Sequence, residues 1–235
     1  MYYKGTKYID YKQQPPSAPP KPPEGTTPPI TTPPVGAGLI VRKNQASMTA
    51  QERTRFRDVI TTMIANGSYG QHVAHHAVMG HRMHSMSGPV GTERFLPWHR
   101  VYLDRLEELM RTIDPLVFIP YWRWTTDQAI PAWLNDFRPN VPMPNGSTIN
   151  VTRNPGVDTP SLPTEASIAA IMTEAAYTPF TRRLEGNPFG AHNMVHVWVG
   201  GTMGDIPTAP ADPIFWMNHA EEDRLWHVWQ QSHPG

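Results

Sequence analysis

Cysteine is absent from the 235 residues. Disulfides, thiolate metal ligands and a thiol nucleophile are thereby excluded, and the redox compartment is left unmarked. An excess of charge of either sign is also missing. Lys and Arg number 20, Asp and Glu number 20, and the net charge is zero. No basic run occurs, so nothing points to nucleic acid or an anionic membrane as a partner. No apolar run approaches the roughly 20 residues that cross a bilayer. The opening MYYKGTKYIDYK lacks the apolar stretch of a secretory signal, so a cytoplasmic location is the expectation.

Proline, by contrast, is abundant, with 27 copies. Many crowd into residues 1–38, which include PPSAPPKPPEGTTPPITTPP. Such a stretch favours extended polyproline conformations and has almost no apolar periodicity. It is expected to be a disordered N-terminal extension. Residues 39–235 are expected to form one domain with a sizeable core.

Within that domain the pattern predicts a mainly α fold with long irregular loops and little strand. Thr49 and Glu52 fit a capping box. Phe56, Val59, Ile60, Met63 and Ile64 then follow at helical spacing up to Gly67. A second helix is expected from Tyr69 to about His84. On its wheel Val73, Ala77, Gly80 and His84 share one stripe, with His76 beside it. SGPVGTE reads as a loop. FLPWHRVYLDRLEELMRTID reads as a third helix, with Trp98, Val101, Tyr102, Leu109, Met110 and Ile113 as its core stripe. Residues 127–163 read as a long loop of the kind that often shapes a site. Thr164 caps a fourth helix to about Ala176. TRRLEGNPFGA leads into a helix carrying His192. Asp212, followed by Pro213, caps the last one.

The chemistry lies in the histidines. His192 and His196 stand four apart, which puts both imidazoles on one helix face. His219 follows on the next helix, so three neutral imidazoles from two helices can converge on a metal. His99 centres a second cluster. For its partners His76 and His84 are the better inward candidates, with His81 competing for the place of His84. His72 and His75 read as core or surface residues, and so do His227 and His233.

HNMVH resembles the zinc-protease pattern HExxH, but Asn193 stands where the general-base glutamate belongs. The Glu-x-x-His motif of di-iron bundles does not occur. An all-imidazole set suits copper or zinc, and two such sets favour a dicopper site that binds and reduces dioxygen.

The stretch from about Tyr69 to Gln230 resembles the tyrosinase family of type-3 copper proteins, in particular the short bacterial tyrosinases. FLPWHRVYLDRLE is similar to the family's first copper motif. HNMVHVWVGG and DPIFWMNHAEEDRLW are similar to the second. The resemblance implies a helical bundle holding two copper ions. His76, His84 and His99 would hold one, and His192, His196 and His219 the other. It also implies dioxygen and small phenols as reactants, ortho-hydroxylation of monophenols, and oxidation of o-diphenols to o-quinones. Glu185 and Asn193 match the glutamate and asparagine that hold a phenol-deprotonating water in relatives that hydroxylate well. Ile206 would line the substrate entrance. Asp223, four after His219, is a candidate to orient a ligand imidazole, with an arginine salt bridge as the alternative.

The chain also departs from the pattern. Val90 stands where many relatives place the second histidine, nine before His99. Asn218 replaces the first histidine of a common pair. No cysteine is present to form the thioether of many plant and fungal relatives. The last helix pattern runs almost to residue 235, so the C-terminal lid domain of many latent relatives is expected to be missing. A catechol oxidase, an o-aminophenol oxidase and a haemocyanin-like oxygen carrier remain open as alternatives.

Overall fold

Helix α1 spans Ala50–Ala65, and its start is written in the sequence. The Thr49 hydroxyl accepts from the Glu52 amide, and the Glu52 carboxyl accepts from the Thr49 amide. This reciprocal pair satisfies two of the amide groups that open any helix. Phe56, Val59, Ile60 and Met63 are buried as their spacing predicts. Gly67 then adopts φ +80°, a left-handed conformation that glycine takes without Cβ strain. This computed structural model describes residues 41–159, 161–186 and 190–233. The extension expected over residues 1–38 lies outside them.

Helix α2 covers only Ser68–Ala74, seven residues where about sixteen were expected. Three short 3-10 turns follow, at His75–Ala77, Met79–His81 and Ser85–Ser87. Arg82 sits at φ +51° between them, and His84 is extended. A continuous helix would have held His76 and His84 about 12 Å apart along its axis, at 1.5 Å per residue. Sharing a wheel stripe therefore could not bring them together. The chain folds back instead.

Helix α3, Pro89–Arg111, begins before the expected FLPWHR start, with Pro89 at its first position. SGPVGTE is thus mostly helix rather than loop. Its buried face carries Phe95, Leu96, His99, Tyr102, Leu103, Leu106 and Met110. Val101, Leu109 and Ile113, expected in the core, are 44%, 37% and 37% exposed. Apolar residues crowd the positions from 95 to 110 so closely that periodicity alone leaves the phase open. Packing decides it.

The loop over 127–163 contains a small hairpin. Strand β1, Asn140–Pro142, pairs antiparallel with β2, Thr148–Asn150, with Val141 opposite Ile149. Gly70 of α2 lies against it so closely that a Cβ would stand 2.0 Å from the Pro142 carbonyl oxygen. Helix α4 spans Glu165–Met172, and Thr164 caps it with Ser167 as reciprocal partner. Helix α5, Tyr177–Glu185, was not expected. Helix α6 is Ala191–Val199 and α7 is Pro213–Ser232.

α3 lies at the centre, packed on α5 and α7, and α6 packs on both of those. Trp122, Trp124, Trp216, Tyr69, Phe56 and Phe95 are among the largest fully buried side chains. Their polar tips are satisfied: Trp216 Nε1–H donates to Tyr69 Oη at 2.7 Å, and Tyr69 donates to the Pro210 carbonyl at 3.1 Å. Among the described residues, no helix is long and apolar enough to cross a membrane.

Candidate metal centre

Two histidine triads face each other in the middle of this bundle. His76 comes from the turn after α2, His84 from the extended segment beyond it, and His99 from α3. His76 Nε2 lies 3.3 Å from both His99 Nε2 and His84 Nε2. His192 and His196 come from α6 and His219 from α7. Their ring centroids are 4.4 to 5.8 Å apart. Within each triad the candidate ligand atoms lie inside 4.8 Å of one another. The triads touch through His99 and His219, whose rings stack at 4.2 Å and 7°.

Local sequence explains the placements. A Cβ on Gly91 would stand 1.7 Å from the His84 carbonyl oxygen, so glycine lets α3 press against that segment. Asp212 caps α7 by accepting from the Ile214 amide at 2.9 Å. Arg153 holds that carboxyl with two bonds of 2.7 and 2.8 Å in a fully buried pair.

Every imidazole turns one nitrogen outward. His76 Nδ1–H donates to the Ile206 carbonyl, His99 to Phe95 and His196 to Met203, at 2.7 to 2.8 Å. His192 Nδ1 pairs with Asn193 Oδ1 at 2.9 Å, and His84 Nδ1 lies 3.3 Å from Glu185 Oε1. A proton on Nδ1 leaves a lone pair on Nε2. Burial pushes His76, His99, His192 and His219 well below the usual histidine range, and His196 down to about 4. These rings are neutral at pH 7. The Nε2 lone pairs of His76 and His99 therefore face one another across 3.3 Å, where no hydrogen bond can form between them, and His84 Nε2 stands at the same distance from His76 Nε2. In the second, all three Nε2 atoms are buried without a partner. Both sets fit a cation bound between them. Phe95 and Phe215 pack against both triads and keep the surroundings apolar.

The remaining histidines are elsewhere. His72 is buried, with Nε2 bonded to the Tyr102 carbonyl at 3.1 Å and its ring stacked on Tyr102. His75 and His227 are exposed, and His233 stacks on Trp229. His81 lies half-buried beside Trp98 and is not in the cluster.

Glu185 is buried at the end of α5. Its Oε1 accepts from the Ser85 amide at 2.8 Å, and its Oε2 has no partner. Asn193 Nδ2 donates to the carbonyl of Gly186, the next residue, at 2.6 Å. Ile206 meets the site through its backbone carbonyl. Asp223 does not reach His219. It pairs with Arg42 at 2.9 Å and with Arg100, so the arginine alternative holds. The carboxyl beside His219 belongs to Glu222, with Oε2 3.1 Å from Nδ1. Sequence reasoning missed Glu222, although its i, i+3 spacing from His219 was a signal.

Fold and site together define a helical protein built around a dinuclear, all-imidazole metal centre. The family model described as the common central domain of tyrosinase matches residues 66–161 and 143–232. The tyrosinase of Streptomyces galbus is 33% identical over 236 residues, covering 84% of this chain and 85% of that protein. The chain belongs to the tyrosinase family. Among solved structures, a polyphenol oxidase from Thermothelomyces thermophila superposes with a TM-score of 0.64 at 19% identity, over 82% of this chain and 70% of that one. An octopus hemocyanin functional unit gives 0.62 at 22% identity, over 83% of this chain and 56% of that one. These two likenesses speak to the fold. The family makes the chain a copper-dependent phenol oxidase of the tyrosinase/polyphenol oxidase class. Its cofactor is two copper ions, and the chain presents two triads able to hold them.

Proposed function

We propose that the chain is a full tyrosinase, hydroxylating monophenols at the ortho position and oxidising o-diphenols to o-quinones. In this reading His76, His84 and His99 hold one copper, and His192, His196 and His219 hold the other. The dicopper domain is residues 39–235. The observation that carries the reading is the inward convergence of the Nε2 atoms in both triads.

When bound, the two coppers supply the binding and reduction of dioxygen. The chain's own residues supply the setting. The outward Nδ1 acceptors lock five of the six imidazoles in one tautomer and one orientation. Phe95 and Phe215 exclude water around the rings.

A monophenol brings a further need, because its pKa lies near 10, as for tyrosine. Its proton must leave before the oxygen can bind a metal well. Glu185 Oε2 is a buried acceptor with no partner, beside the His84 imidazole. Asn193 is tied to the same loop through Gly186 and keeps a second lone pair on Oδ1. A water held by these two takes the phenol's proton. Catechols are more acidic than simple phenols, so they need this help less. Ile206 borders the path by which the phenol enters.

The test compares turnover of a small monophenol and of the matching catechol on copper-loaded protein. Hydroxylation of the monophenol alongside catechol oxidation is the expected result. Catechol turnover alone makes the chain a catechol oxidase. Reversible oxygen binding without turnover makes it a carrier.

A further inference from the structure

Five of the six imidazoles in the centre have an Nδ1 partner that fixes their tautomer. Three use backbone carbonyls, one uses Asn193 and one uses Glu185. His219 is the sixth. Its Nδ1 makes no hydrogen bond here, and Glu222 Oε2 stands 3.1 Å away. His99 on α3 uses the carbonyl four residues back, whereas His219 on α7 points its Nδ1 at a side chain instead.

Glu222 itself is unusual. It is 1% exposed, and among the described residues it has no cation partner. The nearby arginines are engaged elsewhere: Arg224 with Glu221, and Arg42 and Arg100 with Asp223. Both Glu222 oxygens lack a hydrogen bond. One turn earlier, Asn218 accepts from Trp124 Nε1–H at 3.0 Å, which leaves its amide nitrogen as a donor beside the same carboxyl. A buried carboxyl without a cation costs stability. Its place in the core needs a reason other than stability.

We propose that Glu222 is the positioning residue of His219: with copper bound, its Oε2, already 3.1 Å from Nδ1, turns to accept the Nδ1–H of that imidazole and so aims the Nε2 lone pair at the copper of the second triad. Whether ionised or neutral, a carboxyl keeps an acceptor oxygen, so the role does not depend on its charge. The spacing follows from α7, because residues three apart share a helix face. The inference rests on the assignment of His219 as a copper ligand.

The test is copper retained per chain against increasing chelator, in wild type and in Glu222→Met, Glu222→Gln and His219→Ala, beside the melting temperature of each copper-free protein. His219→Ala should lose one copper. Glu222→Met, apolar and of similar volume, should melt no lower than wild type when copper-free. It should still release one copper at about 10–100-fold less chelator, the usual penalty for losing the group behind a ligand histidine. Glu222→Gln keeps an acceptor oxygen in the same place and should restore most of the retention. Equal retention in Glu222→Met and wild type, with His219→Ala one copper short, overturns the positioning role and leaves the ligand assignment standing. A copper-free Glu222→Met that melts far below wild type also overturns it, because Glu222 is then a structural residue. Two coppers retained by His219→Ala overturn the ligand assignment itself.

Discussion

Replacing Asp212 by Asn tests how α7 is anchored. Arg153 and Asp212 are 1% and 0% exposed, joined by two bonds of 2.7 and 2.8 Å. Arg153 also donates to the carbonyls of Leu134 and Phe137, so it ties the loop before β1 to the helix that carries His219. Asparagine keeps the shape and caps a helix as well as aspartate does. What it removes is the charge facing a buried guanidinium. Breaking a buried pair from one side costs about 3–5 kcal/mol, against a total stability of about 5–15 kcal/mol for an ordinary domain. For a chain of this size that is a fall in melting temperature of roughly 6–20 °C. Asp212→Ala should lose about 1 kcal/mol more, because the cap goes too. The assay is urea denaturation of the copper-free protein, with Arg153→Met and the double variant completing a cycle. The double variant should lose less than the two single losses added together, by about 1–3 kcal/mol. A loss below about 1 kcal/mol in Asp212→Asn, the value of a neutral hydrogen bond, would refute this reasoning.

Two further perturbations probe the histidines. Burial holds the His72 imidazole at about 4, against about 6.5 unfolded. Between pH 6.5 and 4 the unfolded chain takes up a proton that the folded chain refuses. The stability His72 contributes is therefore whole above pH 6.5 and falls by up to about 3 kcal/mol as the pH drops to 4. Urea midpoints at pH 7.5 and 4.5 should show a smaller acid loss in His72→Gln than in wild type, and identical losses would contradict it. For the metal, His84→Ala should empty one copper site while His81→Ala leaves both filled, as read by copper analysis. The opposite pattern would make His81 the ligand.

Much of the fold was legible because helix ends are set by local chemistry. The Thr49–Glu52 box, the Thr164 cap and Asp212 before Pro213 need no tertiary context, and all three form. His192, His196 and His219 were legible for a related reason: one turn of helix suffices to pair the first two. The path from His75 to Gly88 was not legible. A wheel reports direction but not distance along the axis, and only packing of Gly91 against the His84 carbonyl brings that histidine to His76. The face of α3 was misjudged at Val101, Leu109 and Ile113 because leucines at 103, 106 and 109 fit more than one stripe. Asp223 and Glu222 are adjacent, and spacing alone could not tell which one the arginines would claim.

The measurement that tests the central claim most directly is the ratio of monophenol to catechol turnover in Asn193→Ala and Glu185→Gln, taken at full copper occupancy. Asn193 touches His192 and Glu185 touches His84, so copper per chain is determined on the same samples. Losing a positioned base costs about 10²–10⁴-fold in the step that uses it. Monophenol hydroxylation should fall by that order in both variants while catechol oxidation is largely kept. If both activities fall together with two coppers in place, or neither falls, Glu185 and Asn193 do not serve the phenol's proton.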